Sequence, residues 1–136
     1  MLIVDTHVLL ATADLSDPDH EACRSLLESD PGPLVTTAMV IAEAAYMINR
    51  QLGPDGELGL YASILDGTIV VETLLEEDWR RMQALVEQYR DLELGGTDAS
   101  VIALAERKRQ VRLATLDHRH FRVVRPKHIA AFELLP

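Results

Sequence analysis

Short apolar runs alternate with longer amphipathic segments along the chain. The runs Leu2–Val4, Leu34–Thr36, Ile69–Val71 and Leu113–Leu116 are not interrupted by alternating polar positions, which is typical of strands covered on both faces. Residues 118–136 mix basic with apolar side chains and predict one further short strand. Because strands alternate with helices throughout, the pattern predicts an α/β fold with a parallel β-sheet between layers of α-helices.

Capping and turn residues predict where the first helices begin and end. A helix follows Asp5 directly, and another begins at Asp17-Pro18 and ends near Ser29. Thr37 is expected to cap a helix from Ala38 to Leu52, where Gly53-Pro54 is a stop signal, and residues 55–65 predict the next helix. The helix that begins at Ala38 has almost no polar face, so we expect the fold to enclose it.

Two further helices are predicted in the second half of the chain. The segment Thr73–Glu76 has the spacing of a capping box, and packing positions follow at helical intervals from Trp79 to Tyr89. The last helix has Asp98 in its first turn and continues as an apolar run to Ala105. The strand after it is expected to end at Asp117, much as the first strand ends at Asp5.

Composition favours one aliphatic core. The chain has 136 residues, 48% of them hydrophobic and only 4% aromatic, which suits a single domain over residues 1–136. No apolar run is long enough to cross a membrane and no signal peptide precedes the first strand, so we expect a soluble cytoplasmic protein. Cys23 is the only cysteine, which excludes an internal disulfide and a cysteine-based zinc site.

Charge is distributed unevenly along the chain. The net charge of −9 argues against a nucleic-acid partner, since phosphate binding normally requires Lys and Arg. Residues 107–128, however, hold eight Lys and Arg residues and one acid, a net charge of +7. This basic segment predicts a positive surface beside an acidic body, although such a run is often only a solvated face.

Four acids stand where a solvated charge is unexpected. Asp5 and Asp117 follow apolar strands, Asp98 lies in the first turn of an apolar helix, and Glu43 lies in the middle of one. Each Asp alone has a simple explanation, as a helix cap, a residue favoured by the helix dipole or a turn former. Glu43 has none of these, and the carboxyl ends of parallel strands meet at one edge of a sheet. The four acids are therefore expected to form one pocket.

A pocket of this kind requires a compensating cation. Buried carboxylates without a partner are costly, and no Lys or Arg lies near Asp5, Glu43 or Asp98 in the sequence. One or two Mg²⁺ or Mn²⁺ ions would satisfy the four acids, since these ions take oxygen ligands and keep bound water. The sequence thus indicates metal-assisted hydrolysis of a phosphodiester.

The ordered set of motifs resembles the PIN domain family, in particular the VapC-type toxins of toxin–antitoxin pairs. The resemblance covers essentially the whole chain, so residues 1–136 are expected to form one PIN domain. It rests on Val4-Asp5-Thr6, Ala42-Glu43, Thr97-Asp98-Ala99, Ala114-Thr115-Leu116-Asp117 and Arg119-His120-Phe121. The sequence departs from the family at His7, where Ser or Asn is common, which leaves the role of this imidazole open.

The resemblance implies a function and a set of site residues. Asp5, Glu43, Asp98 and Asp117 match the catalytic acids that hold the metal, and Thr6 and Thr115 match supporting positions. The substrate implied is RNA, whose phosphates the basic segment would grip through Arg119, His120, Arg122 and Arg125. The family also implies a VapB-like antitoxin partner and a homodimer. A PIN-type RNA-processing nuclease that is not a toxin remains an alternative.

Two other classes of protein are also considered. A haloacid-dehalogenase phosphatase likewise begins with an Asp after its first strand, but it needs a second Asp two residues later, where this chain has His7. The other is a non-catalytic module whose acids dock a basic partner segment. Only a metal-dependent site predicts saturable binding of Mn²⁺ that is lost when Asp98 is replaced by Asn.

Overall fold

Five parallel strands form the centre of the molecule in a computed structural model that describes residues 1–136. The strands are β1 (Leu2–Val4), β2 (Leu34–Thr37), β3 (Ile69–Glu72), β4 (Arg112–Ala114) and β5 (Glu133–Leu135), and their order in the sheet is β3-β2-β1-β4-β5. Every neighbouring pair is parallel. The predicted α/β class and the short C-terminal strand are both confirmed.

Helices connect the strands and cover the sheet. They are α1 (Thr6–Ala13), α2 (His20–Ser29), α3 (Ala38–Leu65), α4 (Glu76–Gln88), α5 (Gly96–Lys108) and α6 (His118–Val123), with a 3₁₀ turn at Arg90–Leu92. The predicted stop at Gly53 is present inside α3, where a φ of 74° breaks the helical geometry. The hydroxyl of Thr37 caps α3 as predicted, since it accepts a hydrogen bond from the N–H of Val40 at 3.2 Å.

Some helix ends differ from the prediction for local reasons. Asp17 does not cap α2; its carboxylate accepts the N–H of Asp19 within a turn, and α2 begins at His20. The predicted capping box at Thr73 is displaced by two residues, because the Asp78 carboxylate accepts the N–H of Leu75 at 2.8 Å. The helix α6 has only six residues, which are too few to show the regular spacing of apolar positions that identifies a helix in a sequence. The sequence therefore did not predict it.

The predicted end of β4 is also wrong. The strand ends at Ala114, so Thr115 and Leu116 lie between it and Asp117. Thr115 still donates its N–H to the carbonyl of Leu135 at 2.8 Å, but its hydroxyl is turned toward the side chain of Asp5. The side chain thus takes part in polar contacts beyond the sheet instead of packing in a strand.

The core lies between the central strands and α5. All three residues of β1 are fully buried, and seven consecutive residues of α5, Ala99–Ala105, are buried as well. The expected enclosure of α3 is wrong, because Ala42 and Tyr46 are exposed on the first half of that helix. The predicted packing of Trp79 is also wrong, since half of its surface is exposed, whereas Met82 and Leu85 on the same helix are buried.

No helix in the structure combines the length and the apolar character that crossing a membrane requires. Cys23 is buried among apolar side chains and is unpaired, as the sequence predicted.

Candidate active site

A cleft of about 300 Å³ opens beyond the carboxyl ends of β1 and β4. No apolar side chain lines it. We call it the acidic cleft and define it by its lining residues, which are Asp5, His7, Glu43, Glu93, Gly95, Gly96, Thr97, Asp98 and Asp117. The four acids singled out in the sequence therefore lie together, although they are separated by up to 112 positions in the chain.

Asp5 is the most deeply buried of the four acids. Its side chain is held by a hydrogen bond of 2.9 Å from the Thr115 hydroxyl to Oδ2 and by the backbone N–H of Thr6. Asp5 is the N-cap residue of α1 by position, but its side chain accepts no hydrogen bond from α1 beyond the N–H of Thr6, so helix capping does not account for this acid. Burial raises the pKa of Asp5 even though these hydrogen bonds and the imidazole of His7 oppose the rise.

Thr115 positions two of the acids through a single hydroxyl. While it donates to Asp5, it also accepts the backbone N–H of Asp117 at 3.0 Å. Thr115 is fully buried, so this link between β1 and the segment after β4 is shielded from water. The hydroxyl of Thr6, by contrast, is buried without a hydrogen-bond partner.

Asp98 lies near the start of α5, which is fixed to the start of α3. The Ser100 hydroxyl donates to the carbonyl of Thr97 at 2.7 Å and lies 2.9 Å from the hydroxyl of Thr37. Burial raises the pKa of Asp98 to about 6, and the nearby carboxylates of Asp5, Asp117 and Glu43 contribute, while His120 opposes the rise. The site thus favours an added positive charge at Asp98.

His120 lies between two of the acids. Its Nδ1 is 3.0 Å from Oδ2 of Asp98 and 2.8 Å from Oδ2 of Asp117. The other oxygen of Asp117 caps α6 by accepting the N–H of His120 at 3.3 Å, so Asp117 is both a helix cap and a cleft residue. One ligand atom from each of these residues lies within 4.8 Å of the other two.

The residues of the acidic cleft fit a divalent cation. No Lys or Arg side chain forms an ion pair with Asp5, Glu43, Asp98 or Asp117. Carboxylate oxygens with one imidazole nitrogen are a donor set that proteins use for such ions. Burial is the main cause of the raised pKa of Asp98, and the neighbouring carboxylates of Asp5, Asp117 and Glu43 add to it.

Part of the basic segment has a structural role. Arg107 is paired with Asp78 at 3.0 Å, Lys108 with Glu72 at 3.1 Å, and Arg112 with Asp30 at 2.7 Å. The predicted positive surface is therefore smaller than the sequence indicated. Its remaining exposed cations include Arg119, Arg122 and Arg125, which lie on α6 or just after it and do not line the acidic cleft.

Two residues of the cleft and one residue beside it have positions that the sequence did not predict. His7 does reach the cleft, which answers the question left open by its position. Glu93 lines the cleft from a left-handed backbone conformation with φ of 58°, a feature with no periodic signal. His120 contacts the carboxylates of Asp98 and Asp117, whereas Arg119, Arg122 and Arg125 are exposed to solvent. Its position three residues after Asp117 would indicate this contact only if α6 were known.

The chain is similar to known proteins along almost its whole length. The sequence profile of the family described as PIN domain matches residues 2–126. The chain is 32% identical over 135 residues to ribonuclease VapC26 of Mycobacterium tuberculosis, covering 99% of this chain and 100% of that protein.

Two solved structures have a similar fold. The sarcin-ricin loop cleaving toxin VapC20 of Mycobacterium tuberculosis superimposes with a TM-score of 0.82 at 21% identity, over 88% of this chain and 92% of that one. VapBC2 from Rickettsia felis, solved with a DNA fragment from its promoter, gives a TM-score of 0.70 at 14% identity, over 99% and 98% of the two chains. At these identities the likeness shows the fold alone.

Proposed function

The chain belongs to the PIN domain family, and from this premise we propose that it is a metal-dependent endoribonuclease and the toxin of a toxin–antitoxin pair. The relative that supports this function is a ribonuclease VapC, with which the chain shares 32% identity along its whole length. The structural neighbours VapC20 and VapBC2 support the toxin class.

The observation that carries the proposal is the acidic cleft. Four carboxylates from distant parts of the chain lie together without a Lys or Arg partner, at the edge of the sheet where α/β enzymes bind ligands. A docking surface for a basic peptide would not need Asp5 to be buried, but a metal site gains from ligands that are held rigidly. This favours catalysis over docking.

Each acid has a proposed role at the site. Asp98 and Asp117 hold the metal, with Asp5 as a further ligand that binds directly or through water. Bound Mg²⁺ or Mn²⁺ would neutralise the scissile phosphate and activate water for hydrolysis. Glu43, half-buried on the wall formed by α3, holds a second ion or orients the attacking water.

Supporting residues fix the acids and hold the substrate. Thr115 keeps Asp5 and the backbone of Asp117 in register through its hydroxyl, and Thr6 holds Asp5 through its N–H. Arg119, Arg122 and Arg125 would contact RNA phosphates on either side of the cleaved bond. The proposed substrate is therefore bound by α6 and cut in the cleft beside it.

We also propose the assembly that the toxin class implies. The partner is a small VapB-like antitoxin acting in the cytoplasm, and two copies of the chain form a homodimer. Exposed apolar side chains on the second half of α3, Leu58, Tyr61 and Leu65, offer a surface for a protein partner.

The catalytic proposal is tested with the purified chain and a mixed RNA substrate. We expect cleavage with Mg²⁺ or Mn²⁺, loss of cleavage with EDTA, and recovery when the metal is restored. Asp5→Asn should be inactive and folded by circular dichroism, while Asp14→Asn, an exposed acid on the other end of α1, should keep full activity. Activity that persists in EDTA, or in folded Asp5→Asn, would contradict the proposal.

The biological role needs a separate test. Induction of the chain alone should arrest growth, and co-expression with the adjacent antitoxin gene should relieve the arrest. Sequencing of RNA ends after induction identifies the target. An active nuclease that leaves growth unaffected would instead support an RNA-processing enzyme of the same family.

A further inference from the structure

The Nδ1 atom of His120 lies in an unusual position between two carboxylates. It approaches Asp98 at 3.0 Å and Asp117 at 2.8 Å, yet neither approach has the angular geometry of a hydrogen bond, and Nδ1 is buried without a hydrogen-bond partner. A neutral imidazole carries a proton on one nitrogen only, so Nδ1 can donate to one carboxylate at most. One ligand atom from each of the three residues thus lies within 4.8 Å of the other two, in contacts that an ion pair explains only if the imidazole is protonated.

The backbone around His120 is fixed by packing. His120 lies on α6, whose start is capped by Asp117, and the adjacent Phe121 is 1% exposed and packs edge-on against Phe132. The backbone of His120 is thus fixed by the buried side chain next to it and by the cap at the start of α6. A residue that served only to contact RNA phosphates would not need this anchoring.

We propose that His120 is a metal ligand, which binds a divalent ion through Nδ1 together with one oxygen each of Asp98 and Asp117. This inference rests on the metal-dependent function proposed above and specifies the ion. An imidazole nitrogen is a poor ligand for Mg²⁺, which prefers oxygen, but it suits first-row transition ions. The site should therefore prefer Mn²⁺ to Mg²⁺, and His120 should be the source of that preference.

Pulsed EPR of the stoichiometric Mn²⁺ complex tests the ligand directly. The full-length wild-type chain should show modulation from a coordinated ¹⁴N nucleus, and labelling of its histidines with ¹⁵N should change the frequency. His120→Asn should lose the signal. His7→Asn, which removes the other imidazole of the cleft, and His118→Asn, two residues away on α6, should keep it.

Calorimetric titration tests the preference between ions. We expect wild type to bind Mn²⁺ more tightly than Mg²⁺, and His120→Asn to lose roughly 10-fold or more in Mn²⁺ affinity with little change for Mg²⁺. His7→Asn is the matched control and should keep the wild-type ratio. An equal loss for both ions would indicate that His120 only positions the carboxylates, and would overturn the inference.

The failures of the two proposals are distinguishable. If Mn²⁺ binds saturably and supports RNA cleavage but the wild-type complex shows no nitrogen coupling, the His120 ligand is wrong and the nuclease function stands. If neither ion binds, both proposals fail. Should His120→Asn not fold, a nitrogen coupling that persists in ¹⁵N-histidine-labelled His7→Asn and His118→Asn still identifies His120 as the ligand, and its loss in His7→Asn would overturn the inference.

Discussion

At the scale of single residues, Asp5 is a charged group in an environment that penalises its charge. It is 2% exposed, and burial outweighs its two hydrogen bonds in setting the direction of its pKa. A buried carboxylate of this kind destabilises the metal-free protein, because metal binding requires a negative charge whose burial lowers the free energy of unfolding. Asp5 should therefore reveal a trade-off between stability and activity.

We predict that Asp5→Asn stabilises the metal-free protein. The amide oxygen can still accept hydrogen bonds from Thr115 and Thr6, while the cost of burying a charge disappears, so the free energy of unfolding should rise by about 0.5–2 kcal/mol. Urea unfolding in EDTA measures the change. With added Mn²⁺ only wild type should gain stability. A large loss of stability in EDTA would show that the carboxylate has a structural role.

The raised pKa of Asp98 predicts an unusual dependence of stability on pH. Its pKa is 3.8 in a model peptide and about 6 in the folded protein, so between these values the folded state binds more protons than the unfolded state. The contribution of Asp98 to the free energy of unfolding must then decrease as pH rises from about 4 to about 6, and stay low above that.

Thermal unfolding in EDTA across this pH range checks the sign. The difference in melting temperature between Asp98→Asn and wild type should be small near pH 4 and should grow in favour of the variant toward pH 7. Glu133→Gln, an exposed acid on β5, is the control and should show no such trend. If the difference in melting temperature instead shrank as pH rises, the pKa of Asp98 would not be raised in the folded protein, and the prediction would be wrong.

The structure brings the four predicted acids together, and it places His120 against two of them, which the sequence did not indicate. Asp5 and Glu43 interrupt apolar segments, so their placement conflicts with a local rule that can be read from the chain. The role of His120 depends on α6, a single short helix, and on the way Asp117 caps it, which are tertiary features. From the sequence, His120 could only be grouped with the neighbouring arginines as a residue that contacts RNA phosphates.

At the scale of elements, α4 and α5 are joined by two ion pairs whose contribution depends on burial. The Arg107–Asp78 and Arg81–Glu106 pairs link the helices, and the Asp78 side chain is 2% exposed. Asp78 also accepts the N–H of Leu75 at the start of α4. This carboxylate thus supports the helix that packs on α5, which carries Asp98.

We predict that Asp78→Ala lowers the free energy of unfolding by roughly 2–4 kcal/mol, because it leaves the Arg107 guanidinium and the Leu75 N–H without their partner. Glu76→Ala, which breaks an exposed pair with Arg80 on the same helix, should change it by less than about 1 kcal/mol. Chemical denaturation measures both variants. Equal effects would mean that burial does not determine the contribution of these pairs.

The ends of strands and helices were predictable where local residue types determine them. Short apolar runs identified β1, β2 and β3, and Gly53 marked the break in α3, because burial on both faces and a positive φ restrict residue type. The end of β4 was not predictable, because Thr115 is buried like a strand residue but its hydroxyl donates a hydrogen bond to Asp5. Exposure of Tyr46 and Trp79 likewise follows from tertiary arrangement alone.

At the scale of the whole molecule, an acidic protein must bind an anionic substrate. The net charge of −9 repels RNA at long range, and several cations of the basic segment are neutralised in ion pairs. Under the proposed function, attraction would depend on a few exposed arginines of α6 and on a metal ion bound in the cleft. Binding should be sensitive both to salt and to the loss of a single arginine.

We predict that Arg119→Ala weakens RNA binding in a way that salt reveals. Each phosphate contact that is lost should reduce the slope of log Kd against log salt concentration by about 1, without a change in sequence preference. The measurement uses the inactive Asp5→Asn background, so that RNA is bound and not cut. Arg24→Ala removes the same charge from α2, where Arg24 pairs with Glu28 outside the acidic cleft, and should leave the slope unchanged. Equal slopes for both variants would mean that Arg119 does not contact an RNA phosphate.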